Sequence, residues 1–370
     1  MDEAGRRLGR RRRRALAAAS LTVVALVFPA RADTARFFRI GTAAITSTYF
    51  VIGAELANAI SKPPGSRDCA HGGSCGVEGL VAVAQGTSGA IDNVLAINSG
   101  EIEAALMQAD IAFWAFTGRL PAASPSGPEA KACRGSTGLP ESGLALLRKT
   151  GPVRKLRAIA ALYPEAFHLV VRQDAKVRTV GDLAGKRIAL GTPNSGTLVE
   201  ARLLLDAAGL SECQVKAQYP RLSEAASMIE SNSLDAFFEI GGYPVPAITD
   251  LASMQPIRLL PMTSRMVERL QRQYPLVSAA VIPGATYPGI DAPTPSASVP
   301  ALFVVSAAVP ENLAYAITKA LWQDATRRFL DNGHPAGKLI RRDTATVDVG
   351  IPFHPGALRY YAEAGVEVPK

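Results

Sequence analysis

The sequence predicts an α/β fold divided between two lobes. From Arg36 onward, short apolar segments alternate with helix-like segments, a pattern typical of mostly parallel sheets with helices on both faces. The 370 residues exceed what one lobe of this kind needs. A hydroxyl-rich turn before a helix occurs once in each half of the chain, and 48% hydrophobic against 19% charged residues excludes a disordered chain.

The first 32 residues are predicted to be an export signal. Five arginines, Arg10–Arg14, precede an apolar run over residues 15–29, and Ala30-Arg31-Ala32 supplies the small residues of a cleavage site. The run is shorter than the ~20 residues that a membrane-spanning helix needs. We therefore expect cleavage near Ala32 and a periplasmic protein without stable membrane insertion. Arg6-Arg7 leaves Sec and Tat export both open.

The basic charge of the chain is concentrated in that segment. The formal net charge is +8, of which residues 1–32 carry +6, from eight arginines and two acids. Residues 33–370 therefore carry only +2. A nucleic-acid partner is not expected, because it would need basic residues clustered on a folded surface.

The predicted periplasmic location bears on the redox state of the four cysteines. Cys69 and Cys75 flank a short glycine-rich loop that contains His71, and an oxidising compartment favours a disulfide between them. A metal site formed by Cys69, His71 and Cys75 is the alternative for this loop, but a second ligand cluster is missing, so no metal is expected. Whether Cys133 and Cys213 pair is not decided by the sequence.

The predicted elements of the first half end in an irregular insertion. Gly118–Gly151, rich in Pro, Gly and Ser, is predicted to be a surface insertion. Before it, the predicted strands are Phe37–Gly41, Leu80–Gln85 and Ala104–Gln108, and the predicted helices are Tyr49–Ser61 and Ile91–Ser99.

The same alternation continues after the insertion. The predicted strands are Leu156–Leu162, His168–Arg172, Arg187–Gly191, Gln214–Gln218, Ala236–Ile240, Ile257–Leu260 and Val277–Ile282. The predicted helices are Gly196–Ala208, Ser223–Ser231, Pro310–Leu330 and one that begins after Pro355. We assign 33–163, with the insertion 118–151, to lobe I, 164–260 to lobe II, and 261–370 to the return into lobe I with the C-terminal helices. Tyr163 and Pro164 lie at the first crossing and are expected at a hinge or cleft rim.

Three strand-to-helix turns are the candidate binding segments. They are Gly41–Tyr49, Gly191–Thr197 and Gln108–Asp110, and the first two are rich in hydroxyl side chains. Ligands of open α/β sheets bind at the carboxyl ends of strands, where the unpaired N–H groups of helix N-termini favour anions. The alternative is that the hydroxyls only cap helices. Two matching turns, one in each half, favour a ligand cleft between the lobes.

Taken in order, the motifs of the chain resemble those of the TAXI solute receptors of TRAP transporters. The resemblance extends from about Arg36 to Tyr361. It rests on Gly41-Thr-Ala-Ala-Ile-Thr-Ser-Thr-Tyr49, Cys75-Gly-Val-Glu-Gly-Leu-Val-Ala-Val-Ala-Gln85, Asn93, Gln108-Ala-Asp110, Leu162-Tyr-Pro-Glu165, Asp182-Leu-Ala-Gly-Lys-Arg187, Asn194-Ser-Gly-Thr197, Asp235-Ala-Phe-Phe238 and Gly241-Gly-Tyr-Pro244.

The resemblance implies a fold, a function and partners. The fold is the two-lobed type II periplasmic binding protein fold, with a hinge and an inter-lobe ligand cleft. The function is capture of a small organic anion, an amino acid or a carboxylate, for the membrane permease subunits of a TRAP-type, sodium-coupled transporter. We expect a monomer without cofactors. A periplasmic ligand sensor on the same fold, docking to a membrane receptor, is the alternative, and the identity of the solute stays open.

The expected ligand contacts come from the candidate turns and their neighbours. Thr48, Tyr49 and the second turn would donate to a carboxylate, while Gln108, Asp110 and Tyr243 would contact the remaining polar groups. The full set is Thr42, Thr46, Ser47, Thr48, Tyr49, Asn93, Gln108, Asp110, Ser195, Gly196, Thr197 and Tyr243.

Two features depart from the family pattern. The first turn contains Ala43-Ala44-Ile45 where the family usually has glycines, which permit closer approach of the backbone to a ligand. Glu239 lies in an otherwise apolar strand. In the cleft it would disfavour a second ligand carboxylate and favour an amine, and the alternative is a salt-bridged residue at the strand end.

An enzyme is not expected. The four histidines are scattered along the sequence, and Pro193 occupies the position where a nucleophile elbow before Ser195 would need glycine. Phosphate-binding glycine loops and the H-E-x-x-H zinc motif do not occur in the sequence.

Overall fold

The computed structural model describes residues 35–121 and 143–369. The strands are β1 (Arg36–Gly41), β2 (Ser61–Lys62), β3 (Val77–Glu78), β4 (Leu80–Gln85), β5 (Ala104–Gln108), β6 (Leu156–Arg172), β7 (Arg187–Ala189), β8 (Lys216–Gln218), β9 (Ala236–Gly241), β10 (Ile257–Leu259), β11 (Ser278–Ile282) and β12 (Thr294–Ser306). The helices are α1 (Thr48–Ile60), α2 (Ala90–Ser99), α3 (Ala109–Thr117), α4 (Gly143–Thr150), α5 (Gly196–Ala207), α6 (Leu222–Glu230), α7 (Pro246–Met254), α8 (Ser264–Gln273), α9 (Glu311–Leu321), α10 (Asp324–Asn332) and α11 (Pro355–Glu363).

The fold is α/β, as predicted, around one mixed sheet. Its strands follow the order β4-β1-β5-β12-β6-β9-β7-β8, with β10 paired to β6 and β11 paired to β12. The outer strands pair in parallel at both ends of the sheet, whereas β12 and β6 pair antiparallel with each other and with their other neighbours. The prediction of a mostly parallel sheet is therefore wrong at its centre.

The two long strands β6 and β12 connect two groups of elements. At one end of the strand order lie β4-β1-β5 and at the other end lie β9-β7-β8, and both groups pair onto the long strands. We call these two groups the two sides of the sheet. Pro164 of β6 and Pro300 of β12 are partners in the ladder, and the register shifts just after Pro300. Because proline has no backbone N–H, neither residue donates a ladder hydrogen bond at this position.

The buried side chains divide along the same line. Two apolar clusters, around Phe38 and Trp114, draw on residues 38–163 and 301–361, with Val199 as the exception. Two others, around Phe238 and Phe237, draw on residues 166–299. The segment 262–299 thus packs with the residues that follow Pro164.

Helix starts and ends follow local chemistry. Ser47 caps α1 by accepting from the Phe50 N–H, and Ser195 caps α5 by accepting from the Leu198 N–H. The helices α2 and α3 end at Gly100 and Gly118, both in the left-handed conformation that glycine adopts without strain.

Several predicted boundaries are corrected by the structure. The two strands predicted within residues 156–172 are one strand, β6, because its partner β12 continues past Pro164. The helix predicted over Pro310–Leu330 is two helices, since the Thr326 hydroxyl donates to the Ala320 carbonyl and ends α9 there. The helix α4 lies inside the stretch predicted to be irregular.

The predicted Cys69–Cys75 disulfide is confirmed, with the two Cα atoms 4.7 Å apart. Cys213 is also disulfide-bonded. Cys133, most of the insertion and the predicted signal lie outside the described residues. Across the described part of the chain, no helix combines the length and apolar character needed to span a membrane.

Candidate functional site

A cavity of about 60 Å³ lies where strand ends from both sides of the sheet meet helix N-termini. The turns that follow β1, β4 and β7 line it, together with residues of β6 and β9. Each of these turns leads toward a helix, and the small and hydroxyl-bearing residues of the turns form the cavity wall.

Four helices begin at the cavity. The first turns or caps of α1, α2, α5 and α6 line it. The backbone N–H groups of Thr48, Tyr49, Gly196 and Thr197 donate to no acceptor within the described residues. Unpaired N–H groups and the positive ends of helix dipoles together favour a bound carboxylate.

The start of α5 lies against the end of β5. A Cβ atom on Gly196 would lie 2.4 Å from Oε1 of Gln108 and 2.8 Å from its Cδ. Gln108 is buried and lines the cavity, and its Oε1 accepts no hydrogen bond within the described residues. Glycine is therefore required at 196 for this close approach.

Hydrogen bonds join the two sides of the sheet around the cavity. The Thr48 hydroxyl donates to the Gly242 carbonyl over 2.5 Å, and the Thr192 hydroxyl donates to the Ser88 carbonyl over 2.9 Å. The Ala247 N–H donates to the carbonyl of Thr46 over 3.3 Å. The structure is therefore a closed arrangement, in which the walls contact each other directly.

The structure brings seven of the twelve predicted contact residues to the cavity wall. These are Ser47, Thr48, Tyr49, Gln108, Ser195, Gly196 and Thr197.

The other five predicted residues lie behind the wall. Asn93 is buried and donates to the carbonyls of Thr42 and Leu106, both over 2.8 Å. The Thr42 hydroxyl donates to the Gln85 carbonyl, and the Thr46 hydroxyl is buried without a partner in the described residues. Tyr243 packs against the apolar cluster around Phe237. Asp110 is buried beside Glu200.

Several wall residues were not predicted. Thr87 and Ser88 follow β4 and precede α2, so they form a third hydroxyl-rich strand-to-helix turn that the same reasoning could have found. Thr192 belongs to a predicted turn but was not singled out. Arg221, at the exposed start of α6, and Glu165, within β6, carry no comparable local signal.

Two acidic side chains form part of the wall. Glu165 is fully buried, and its Oε2 accepts from the Tyr49 hydroxyl over 2.6 Å, whereas its Oε1 has no partner within the described residues. Burial raises the pKa of Glu165 well above its usual range, and the charges of Glu239 and Asp110 raise it further, against the Tyr49 hydrogen bond. Glu239 is half-buried, and burial raises its pKa to about 8.

A second pair of acids lies behind the wall. Asp110 of α3 and Glu200 of α5 are buried beside each other, and both Glu200 carboxyl oxygens and Oδ2 of Asp110 have no hydrogen-bond partner within the described residues. Burial raises the pKa of Asp110 to about 7, and burial together with the charge of Asp110 raises that of Glu200. Because two like charges buried side by side repel each other, the pair favours a state in which at least one of the two carboxyls is protonated.

Among residues 35–121 and 143–369, no group of three or more His, Cys, Asp or Glu side chains is arranged to hold a metal ion.

Comparison with known proteins gives a family and similar folds. The chain matches the protein family described as the NMT1-like family over residues 40–128 and 141–365. Similar solved structures include the alkanesulfonate-binding protein SsuA from Xanthomonas axonopodis pv. citri bound to MOPS, at 14% identity, 89% coverage of this chain, 84% of that chain and a TM-score of 0.44. An ancestral arginine-binding protein bound to arginine matches at 12% identity, with 80% and 96% coverage and a TM-score of 0.42. The substrate binding protein of an amino acid ABC transporter matches at 11% identity, with 80% and 98% coverage and a TM-score of 0.40.

Proposed function

The chain belongs to the NMT1-like family, and from this premise we propose that it is an extracytoplasmic solute-binding protein. It captures a small organic acid, an amino acid or a carboxylate, in the cavity and delivers it to the membrane subunits of a TRAP-type transporter. The periplasmic location rests on the predicted signal, and the transporter class rests on the resemblance to TAXI receptors.

The observation that carries the proposal is the convergence of helix N-termini on one cavity. The helices α1 and α2 come from one side of the sheet and α5 and α6 from the other, so a bound anion would bridge both sides. The unpaired amides at the starts of α1 and α5 supply donors that no protein group uses within the described residues. Such a site is built for a ligand that arrives and leaves.

Capture and release require the two sides to move apart. We propose that lobe I comprises residues 33–163 and 300–370 and that lobe II comprises 164–299. The second boundary moves from the predicted 260 because segment 262–299 packs with lobe II. The position of Pro164 opposite Pro300, where neither residue can donate to the ladder and the register shifts, supports a hinge there.

The proposed ligand contacts are the wall residues at the helix starts. Ser47, Thr48 and Tyr49 act from lobe I, and Ser195, Gly196 and Thr197 act from lobe II. The unpartnered Oε1 of Gln108 accepts a hydrogen bond from a donor on the ligand. Thr42 and Asn93 act indirectly, because their hydrogen bonds hold the strand ends in place.

A thermal-shift screen of small acids and amino acids tests this function. A ligand at 100 times its Kd stabilises the closed protein by about 2.7 kcal/mol, which raises the Tm by about 4–6 °C. The control is the double variant Ser195→Ala, Thr197→Ala, which should stay folded and lose the shift. A broad panel without any hit in the wild-type protein would contradict solute capture.

A further inference from the structure

Three groups in the cavity wall can accept hydrogen bonds from a ligand. Two belong to carboxylates, which only accept when ionised, and the third is an amide oxygen, which only accepts. They are the free Oε1 of Glu165, the carboxylate of Glu239 and the free Oε1 of Gln108. Glu165 and Gln108 are almost fully buried, at 0% and 3% exposure. Buried acceptors without donors are costly, so these oxygens indicate a ligand that brings N–H groups.

The acids of the site have no cationic partner among the described residues. Burial raises the pKa of Glu165, Glu200 and Glu239, neighbouring carboxyls raise that of Glu165 and of Glu200 further, and no arginine or lysine of the described residues lowers any of the three. Arg221 is exposed at the rim and shows no interaction with Glu239. A positively charged group at Glu165 and Glu239 would offset the cost of keeping both carboxylates ionised.

The remaining wall groups favour a negative charge. The unpaired amides of Thr48, Tyr49, Gly196 and Thr197 lie at helix starts, where a carboxylate is stabilised. The cavity volume, about 60 Å³, accommodates roughly five water-sized atoms. The wall therefore suits a short molecule with one positive and one negative end.

We propose that the ligand is a small zwitterionic amino acid whose ammonium group is bound by Glu165 and Glu239 and whose carboxylate is bound by the starts of α1 and α5. This inference rests on the proposed function and names the ligand class of the same cavity. Glu239, which departs from the family pattern, becomes the residue that selects for the ammonium group.

The histidine and the tyrosine next to Glu239 stay uncharged near neutral pH. His168, its ladder partner on β6, is held neutral because burial lowers its pKa to about 4. Burial also raises the pKa of Tyr287, which interacts with Glu239. The carboxyls around the cavity with a pKa between 6 and 8 are Glu239, at about 8, and Asp110, at about 7, while burial raises the pKa of Glu165 and of Glu200 well above the usual range.

Calorimetric titration with matched pairs tests the ammonium site. The probes are glycine, L-alanine and L-serine against glycolate, L-lactate and L-glycerate, which replace only the ammonium by a hydroxyl, with succinate as the dicarboxylate. Each amino acid should bind at least about tenfold more tightly than its partner, because charge-assisted hydrogen bonds are lost in the hydroxy acid. Affinity for the amino acid should rise between pH 6 and 8 as the carboxyls ionise.

Variants of Glu239 separate recognition from folding. Glu239→Gln keeps the shape and removes the charge, and it should reduce the amino-acid preference to less than about threefold. Glu239→Asp keeps the charge and should keep the preference, and Glu268→Gln, on the exposed face of α8, is the matched control.

The possible outcomes separate this inference from the proposed function, solute capture, on which it rests. If succinate or L-lactate binds as tightly as L-alanine, or binding strengthens as pH falls, a protonated Glu239 is donating to a carboxylate and the inference is wrong while solute capture stands. A preference that persists in Glu239→Gln also refutes it, as does a thermal-shift hit without a positively charged nitrogen. The complete absence of hits removes solute capture itself.

Discussion

Replacing Gly196 by alanine should block the closed cavity without damaging the core. The added Cβ would lie 2.4 Å from Oε1, 2.8 Å from Cδ and 3.0 Å from Nε2 of Gln108. All three contacts are with the end of a flexible side chain. Gln108 can therefore move away, but the space into which it moves is the cavity that it lines.

The magnitude follows from two opposing effects. Overpacking of this kind costs about 1–3 kcal/mol when the protein is closed. Alanine at the first position of α5 also improves helix propensity by up to about 1 kcal/mol, in the open and closed states alike. The Tm of the free protein should therefore change little, whereas ligand affinity should fall by about five- to 150-fold.

Calorimetry with a solute from the thermal-shift screen measures this change. Small-angle scattering with and without that solute should show compaction in the wild-type protein and less compaction in Gly196→Ala. The control is Gly181→Ala, where the added Cβ meets nothing closer than 3.6 Å. Wild-type affinity in Gly196→Ala would refute the close approach of α5 to Gln108 as a condition for binding.

Three further outcomes are expected. In the double variant Ser195→Ala, Thr197→Ala, ligand affinity should fall at least about tenfold. Loss of the Ser195 cap should reduce the free energy of unfolding, measured by urea titration, by only about 1 kcal/mol. Unchanged affinity would show that the ligand binds elsewhere. Asp110 binds its proton more tightly when folded, so its contribution to stability is complete below pH 4 and lost as pH rises toward about 7. Urea denaturation at several pH values should show a decline of up to about 1.4 kcal/mol per pH unit in wild type that is flatter in Asp110→Asn; equal slopes would contradict a buried protonated pair. The double variant Cys69→Ser, Cys75→Ser should lose about 2 kcal/mol of stability, the value for so short a loop, with solute affinity retained.

The sequence predicts the parts of the site that depend on local chemistry. Serines before helices indicated the starts of α1 and α5, and Ser47 and Ser195 do cap those helices. Strand ends at Gly41 and Gln108 were predicted at the residues where the structure has them. In each case the signal lies within a few residues of the feature that it predicts.

The acidic part of the site depends on contacts that the local sequence does not encode. Glu165 and Glu239 are 74 residues apart and come together because β6 and β9 pair in one register. The strand β12 was missed because its prolines and serines are typical of a loop. In the structure its Ser296 hydroxyl donates to the Phe167 carbonyl, and that hydrogen bond allows the serine to be buried.

The packing of the segment after residue 261 shows the same limit. We expected residues 261–370 to belong to lobe I and the C-terminal helices. The side chains of Met262, Val267 and Leu270 pack instead with Phe238 and its neighbours. Only the long-range packing of α8 reveals this association.

Mass spectrometry of small molecules released from the purified protein tests the central claim most directly. Wild-type protein, denatured after gentle purification, should release a small amino acid in near-stoichiometric amount, and Gly196→Ala should release much less. Equal release from both proteins, or a stoichiometric ligand without both an ammonium and a carboxylate group, would contradict the account of this cavity.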